Sequence, residues 1–186
     1  GLEKEMAETG VMLSRARADE VERLNATLAE RGEAGAFPCA QLAVNGEADA
    51  LIAEHGEAAG NAMRARLERM RIRDAESGRT NFGPHVSDLD VRHTAKRAPA
   101  RECSTGEQKA LLISIVLAHA RGFCEMRAGR APILLLDEIA AHLDSLRRAA
   151  LFEEILALGA QAWRTGTDIA MFAPLTGHAD IFDVAD

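Results

Sequence analysis

The first half of the chain has the hydrophobic spacing of helices. Over the first thirty residues, apolar side chains recur at intervals of three and four among charged ones, which predicts one long amphipathic helix, or two, ending at Gly32. Residues 37–44 form a candidate strand. A second helical tract follows it and is interrupted by Gly56 and Gly60. This part of the chain is therefore predicted to be mostly helical.

The second half alternates short aliphatic strands with helices. A turn and a strand are predicted within residues 80–93, and the next segment lacks hydrophobic periodicity and is expected to be an exposed loop. Further elements are predicted at residues 104–126 (helix), 133–136 (strand), 145–158 (helix) and 161–165 (strand). Strands separated by helices are typical of an α/β fold in which helices cover both faces of a parallel sheet.

The character of the sequence changes at Gly78. We therefore expect a helical arm or lobe over residues 1–78 and an α/β portion over residues 79–186.

Composition favours a soluble, cytoplasmic, globular protein. Hydrophobic residues make up 47% of the 186 residues, which is enough for a core. The three cysteines are too few and too scattered for a disulfide framework, and none has metal-ligand spacing. The longest apolar stretch, residues 111–118, is far shorter than the roughly 20 residues that span a bilayer, and no signal-peptide pattern is present.

Charge is distributed unevenly along the chain. The formal net charge is −7, yet residues 61–101 contain ten lysines or arginines and only five acids. A local excess of this kind is common on the solvated face of a helix next to a polar loop, and it is also the pattern of a surface that binds an anionic partner. Charge alone leaves both interpretations open.

The helix predicted from residue 104 begins with Ser-Thr-Gly-Glu-Gln. Ser104 and Glu107 have the spacing of a capping box, which satisfies backbone amides at a helix start. The same helix start presents free N–H groups and the positive end of the helix dipole, and Gly106 leaves room for an anion to approach them. This segment is either a structural cap or a phosphate-docking element.

The strand predicted at residues 133–136 consists of four consecutive aliphatic residues and is followed by Asp137 and Glu138. Ligands of open α/β sheets bind at the carboxyl ends of the strands. There, Asp137 could hold Mg²⁺ and Glu138 could polarise an attacking water molecule. The alternative is an aspartate that merely caps a turn.

Leu143 and Asp144 follow shortly afterwards, where Asp144 is either an ordinary helix N-cap or part of a third motif. Three motifs thus follow one another along the chain: the helix start at residues 104–108, the strand that ends in Asp137 and Glu138, and the Leu143-Asp144 pair. In this order they resemble the signature, Walker B and D-loop elements of the ABC ATPases. Residues 80–89 (Thr-Asn-Phe-Gly-Pro-His-Val-Ser-Asp-Leu) and the 33-residue separation of Ser104 from Asp137 are similar to the RecF branch, which is related to the SMC proteins.

The resemblance implies the C-terminal half of an ABC-type P-loop NTPase head. It implies a DNA repair, recombination and replication protein that binds ATP and Mg²⁺, dimerises head to tail and engages duplex DNA at single-strand gaps. RecR- and RecO-like partners would help it load the recombinase. The weak, DNA-dependent ATPase activity of the whole dimer is also implied by the resemblance.

The resemblance also implies roles for individual residues. The signature would contact ATP held by the opposite protomer, through Ser104, Thr105, Gly106, Glu107 and Gln108. Asp137 would hold Mg²⁺ and Glu138 would act in the protomer's own site, while Asp144 would lie at the dimer interface. The candidates for DNA contact in the basic segment are Arg66, Arg69 and Arg73.

The chain departs from the family pattern in three places. It contains no Gly-x-x-x-x-Gly-Lys-Ser/Thr sequence, so this chain alone is predicted not to hydrolyse ATP. Val86 stands where the family usually has arginine. No switch histidine follows the last strand, where Thr165 and Thr167 are either γ-phosphate sensors or plain strand-end threonines.

Two other functions fit the pattern less fully. One is the nucleotide-binding subunit of a transporter, against which the helical arm argues. The other is a helical interaction protein without catalytic activity, in which the capping box and the Asp-Glu pair are incidental.

Overall fold

The computed structural model describes residues 1–32, 35–139 and 143–183. The chain forms two compact units. The first contains Gly1–Ala26 and Ala40–Ala100, and the second contains Thr27–Cys39 and Arg101–Asp186.

Three helices dominate the first unit, as predicted from the sequence. Helix α1 spans Leu2–Arg31, and its last residues belong to the second unit. Helices α2 (Glu47–His55) and α3 (Ala59–Ser77) are separated by a single 3₁₀ turn at Gly56–Ala58. Gly56 adopts φ 53°, a conformation that few other residues tolerate, so the interruption predicted at Gly56 is confirmed. The interruption predicted at Gly60 is wrong, because Gly60 lies within the first turn of α3.

An antiparallel sheet of order β1-β2-β3 completes the first unit. Strand β1 (Ala40–Asn45) pairs with β2 (Asp88–His93), and β2 pairs with the two-residue strand β3 (Ala98–Pro99). The segment expected to be an exposed loop is therefore a hairpin, whose turn is closed by Arg97 N–H donating to the Thr94 carbonyl.

The pairing of β1 with β2 also explains why the compact units do not divide the chain at residue 78, where the sequence predicted a boundary. Strand β2 follows that boundary along the chain but pairs along its whole length with β1, which precedes it. Main-chain pairing therefore joins residues 79–100 to the first unit.

The first unit has its own apolar core. The stripe formed by Met63, Leu67 and Met70 on α3 is buried, as the helical spacing predicts. It packs with Ala7 and Val11 of α1, with Ala48 and Ile52 of α2, and with Ala59 and Phe82.

The second unit is an α/β structure built around two parallel strands. Helix α4 spans Thr105–Met126, strand β4 Leu134–Leu136, helix α5 Ser145–Leu158 and strand β5 Ala162–Arg164, followed by a 3₁₀ segment at Ile169–Leu175. Strands β4 and β5 pair in parallel, with Leu135 opposite Trp163. The predicted α/β fold with a parallel sheet is confirmed.

The two faces of this sheet differ in burial. Leu134 and Leu136 point into a core that also contains side chains of α4 and α5. On the other face, Leu135 is 77% exposed and Trp163 is 55% exposed. Helices were predicted on both faces. Among the described residues, α4 and α5 pack on the face of Leu134 and Leu136, whereas Leu135 and Trp163 on the other face are exposed.

None of the helices within the described residues combines the length and the hydropathy that a bilayer-spanning segment needs.

A largely buried ion pair fixes the end of α1 within the second unit. The Arg31 side chain is 10% exposed, donates to the Glu154 carboxylate and also contacts Ser114 Oγ at 3.4 Å. Its guanidinium lies over the Phe37 ring, 5.4 Å from the centroid. A buried charge is tolerated only when it is paired, so this contact makes α1, α4 and α5 depend on one another.

We predict that Glu154→Ala destabilises the second unit by about 3 kcal/mol, because it leaves the Arg31 charge buried without its carboxylate. Chemical unfolding followed by circular dichroism measures the loss. Glu8→Ala is the control, since its exposed pair with Lys4 should contribute less than about 0.5 kcal/mol. Equal losses in the two variants would contradict the prediction.

Candidate functional site

Two carboxylates lie at the carboxyl end of β4. Asp137 and Glu138 follow the strand directly, and both are exposed. Glu138 has φ 49°, a left-handed conformation that costs a non-glycine residue about 1–3 kcal/mol and is enriched at turns and at active sites. The chain therefore turns sharply at the residue predicted to act on water.

Thr165 connects this turn to the end of β5. The Thr165 N–H donates to the Leu136 carbonyl at 3.3 Å, which extends the parallel pairing by one residue. The Thr165 hydroxyl donates to the Asp137 carboxylate and accepts the Glu138 N–H at 2.9 Å. The structure thus brings together three residues predicted to be functional, namely Asp137, Glu138 and Thr165.

The loop after β5 is held by packing and by a cap. A side chain at Gly166 would place its Cβ 2.8 Å from Cζ of Phe172, so the ring closes over the glycine backbone. Asp168 accepts the Ala170 N–H at 2.9 Å and begins the 3₁₀ segment. Thr167, the other candidate γ-phosphate sensor, is exposed between these two contacts.

The Arg164 side chain, on β5, points away from the exposed edge of the sheet and toward the core. Its guanidinium lies 4.8 Å from the centroid of the Phe152 ring, and burial lowers its pKa. Arginine remains protonated across the physiological range, so the charge stays on the covered face of the sheet.

The predicted capping box at the start of α4 is confirmed. Ser104 N–H donates to Glu107 Oε2 at 3.0 Å, and Glu107 N–H donates to Ser104 Oγ at 3.4 Å. Gln108 Nε2 donates to the Cys103 carbonyl at 3.0 Å, which fixes the entry of the chain into the helix. Thr105 is exposed in the first turn.

No atom of the described residues lies within 4 Å of the position that a Cβ of residue 106 would occupy. The packing of this chain therefore does not require glycine there. Its effect is to leave the first turn of α4 open to a ligand from outside.

Asp144 caps α5, as its alternative interpretation predicts. Its Oδ1 accepts the Arg147 N–H at 2.8 Å, and its Oδ2 lies 3.7 Å from Arg147 Nη1. The carboxylate is exposed. Residues 140–142, which join the acidic strand end to this motif, lie outside the described part of the chain.

The Gly-Pro-His segment ahead of the signature folds as a tight turn in the first unit. Gly83 adopts φ 142°, and Pro84 begins a 3₁₀ turn. The Pro84 carbonyl accepts a hydrogen bond from Arg17 Nη1 at 2.6 Å. His85 Nε2 lies 2.8 Å from the Thr80 carbonyl oxygen. Val86, in place of the usual arginine, is half exposed and gives the turn no charge.

The three candidate DNA-facing arginines of α3 differ in their surroundings. Arg66 donates to Glu47 at 2.6 Å and lies over the Phe82 ring, so its charge is largely balanced by contacts within the unit. Arg69 and Arg73 are exposed. On another side of the helix, a bidentate contact from Arg71 lowers the pKa of Glu3.

The described residues contain no group of three or more histidine, cysteine, aspartate or glutamate side chains that could hold a metal ion. A single aspartate at a strand end nevertheless suits Mg²⁺, which usually keeps several waters and takes one or two carboxylates together with substrate phosphates.

The sequence is similar to those of curated relatives along its whole length. It is 48% identical over 186 residues to the DNA replication and repair protein RecF of Rhizobium etli (strain CIAT 652), covering 100% of this chain and 50% of that protein. RecF of Mesorhizobium japonicum is 50% identical over 187 residues, covering 98% and 48%. RecF of Agrobacterium fabrum is 48% identical over 185 residues, covering 100% and 49%.

The fold is similar to that of two solved structures. The recombination mediator protein RecF-ATPrS in the RecFOR pathway matches with a TM-score of 0.72 and 20% identity, covering 91% of this chain and 44% of that one. The RecF-ATP structure matches with a TM-score of 0.68 and 19% identity, covering 89% and 43%. No family model matches the chain.

The chain spans about half the length of the curated relatives it matches. With the order of its motifs and the fold that carries them, this similarity establishes that the chain belongs to the RecF family of DNA replication and repair proteins and corresponds to the C-terminal portion of its members.

Proposed function

We propose that this chain supplies the signature, the Walker B carboxylates and the D-loop of an ABC-type ATPase that acts in DNA repair and recombination. The observation that carries the proposal is the junction of Asp137, Glu138 and Thr165 at the carboxyl ends of two parallel strands. Membership in the RecF family supports this function over a transporter subunit or a helical interaction protein without catalytic activity.

The acidic edge acts in the protomer's own nucleotide site. Asp137 would hold Mg²⁺, directly or through water, and a metal bound there with ATP would supply charge neutralisation to the phosphates. Glu138 orients and polarises the attacking water from its exposed position beside Asp137. Thr165 and Thr167 follow β5 at the same edge and are the candidates for a contact with the γ-phosphate.

The signature acts in the site of the opposite protomer. Residues 104–108 present the open first turn of α4, where Gly106 leaves backbone N–H groups accessible to a phosphate. Asp144 lies at the interface between the protomers and connects the two sites. Because the signature and the carboxylates serve different sites, a dimer is required for each site to be complete.

The other half of the head completes the sheet. The described residues include one strand partner for β4, namely β5, and leave Leu135 and Trp163 exposed on one face. An unpaired strand edge and an apolar sheet face fit further strands and cover contributed by the remaining length of the protein. A P-loop in that portion would grip the phosphates, and this chain alone does not hydrolyse ATP.

In the whole protein, the dimer is a weak, DNA-dependent ATPase of the cytoplasm. It engages duplex DNA at single-strand gaps and helps load the recombinase with RecR- and RecO-like partners. The name of the relatives supports a role in DNA repair, and the RecFOR pathway named for the solved structures supports RecR- and RecO-like partners.

Glu138→Gln in the full-length protein should reduce ATP hydrolysis by at least about 100-fold, because the amide cannot act as a base. ATP binding should remain, so the variant should accumulate as an ATP-bound dimer in analytical ultracentrifugation.

Glu153→Gln is the control for this experiment, since it makes the same chemical change at an exposed position of α5. It should hydrolyse ATP at the parental rate. Undiminished hydrolysis by Glu138→Gln would remove Glu138 from the base role.

Gly106→Arg should abolish ATP-dependent dimerisation while leaving the fold intact, because the new side chain points into open space and blocks the phosphate site of the partner. Light scattering with and without ATP measures the dimer. Gly60→Arg is a matched control, since Gly60 is likewise the second residue of a helix with nothing near its Cβ position. A normal dimer in the Gly106 variant would contradict the role of the signature in trans.

Arg69→Glu combined with Arg73→Glu should weaken binding to duplex DNA and flatten its salt dependence by about 0.9 in the logarithmic slope per lost phosphate contact. The double reversal of Arg64 and Arg71 changes the net charge equally on another side of α3 and serves as the control. Fluorescence anisotropy at several salt concentrations gives both slopes. Equal effects would mean that net charge, rather than this face, governs binding.

A further inference from the structure

We propose that Thr165 is a positioning residue that holds the Asp137 carboxylate and the Glu138 main chain in their working geometry, and that it does not contact the γ-phosphate. This inference rests on the proposed ATPase function of the acidic edge. It separates two threonines that the sequence alone treats as equivalent.

The Thr165 hydroxyl can make only a few hydrogen bonds. A threonine hydroxyl has a single proton to donate and two lone pairs that accept. The Thr165 proton is donated to Asp137, and one lone pair accepts the Glu138 N–H at 2.9 Å. Phosphate oxygens at neutral pH require donors, so Thr165 could contact a phosphate only by releasing Asp137.

Both bonds act on groups whose orientation matters for catalysis. Asp137 is exposed and would otherwise rotate freely about its side-chain bonds, so the hydroxyl selects one orientation of its carboxylate. Glu138 has φ 49°, and the bond from its N–H to Thr165 helps to hold that unfavourable backbone conformation. Thr165 thereby fixes the direction in which the Glu138 side chain leaves the main chain.

The placement of Thr165 is itself fixed from two sides. Its N–H is bonded to the Leu136 carbonyl, which sets its height relative to β4. Phe172 packs over Gly166 and leaves no room for a Cβ there, which restrains the chain immediately after Thr165. A hydroxyl whose backbone is restrained in this way can orient its two neighbours.

Thr167 lies outside the hydrogen-bonded junction that occupies the Thr165 hydroxyl. It is exposed one residue beyond the packed glycine and just before the Asp168 cap. It is therefore the threonine of this loop that remains as the candidate for the phosphate contact.

The test compares Thr165→Val, Thr165→Ser and Thr167→Val in the full-length protein. Hydrogen exchange measured by mass spectrometry on a peptide covering residues 134–139 reports the Glu138 N–H without nucleotide. We expect Thr165→Val to accelerate exchange of that amide roughly three- to ten-fold, since valine keeps the shape but removes the acceptor. Thr165→Ser and Thr167→Val should leave it unchanged.

Steady-state hydrolysis supplies the second measurement. We expect Thr165→Val to lower kcat about 10- to 100-fold with little change in KM for ATP, because misplaced carboxylates impair the chemical step more than binding. Thr165→Ser should restore kcat, since serine keeps the hydroxyl. If Thr165→Val does not fold, Thr165→Ser still tests the inference, because it must retain parental exchange and parental kcat.

Unchanged exchange of the 134–139 peptide in Thr165→Val would overturn the inference, and so would a failure of Thr165→Ser to restore hydrolysis. The proposed ATPase function would fail separately, if Glu138→Gln hydrolysed ATP as fast as the parent. Exchange without nucleotide would still decide the role of Thr165 in that case.

Discussion

The parallel pairing of β4 with β5 is the constraint on which the candidate site depends. It places the residues after Leu136 and Arg164 at the same edge of the sheet, although 28 positions separate Asp137 from Thr165 along the chain. The Thr165 hydroxyl then bridges the two strand ends through Asp137 and Glu138. Without this register, the acidic pair would follow an isolated strand with no partner to orient it.

The core of the second unit keeps that pair of strands in place. Leu134 and Leu136 pack among the apolar side chains of α4 and α5. The buried ion pair between Arg31 and Glu154 joins these helices to the end of α1. The opposite face of the sheet is apolar and exposed. One face therefore stabilises the site within this chain, while the other has the character of a surface completed by further protein.

Local caps and candidate functional elements coincide in this protein. Ser104 and Glu107 satisfy the start of α4, and Asp144 satisfies the start of α5, so each motif has a structural role that is visible in its hydrogen bonds. These roles do not compete with function, because the caps use side chains that lie beside the open turn. Gly106 is different, since no contact with the described residues requires glycine at that position.

The sequence by itself determined the helices, the four main strands, the order of the motifs and the α/β class, because hydrophobic periodicity and capping are properties of neighbouring residues. Only the tertiary structure decided which segments meet. The pairing of β1 with β2 across residue 78, the single covered face of β4 and the bond from Thr165 to Asp137 all join residues distant in sequence. Because Thr165 follows β5, the sequence places it at the edge of the sheet where Asp137 and Glu138 lie. Which groups its hydroxyl bonds to depends on the strand register and on the packing of Phe172, and neither can be predicted from a local sequence pattern.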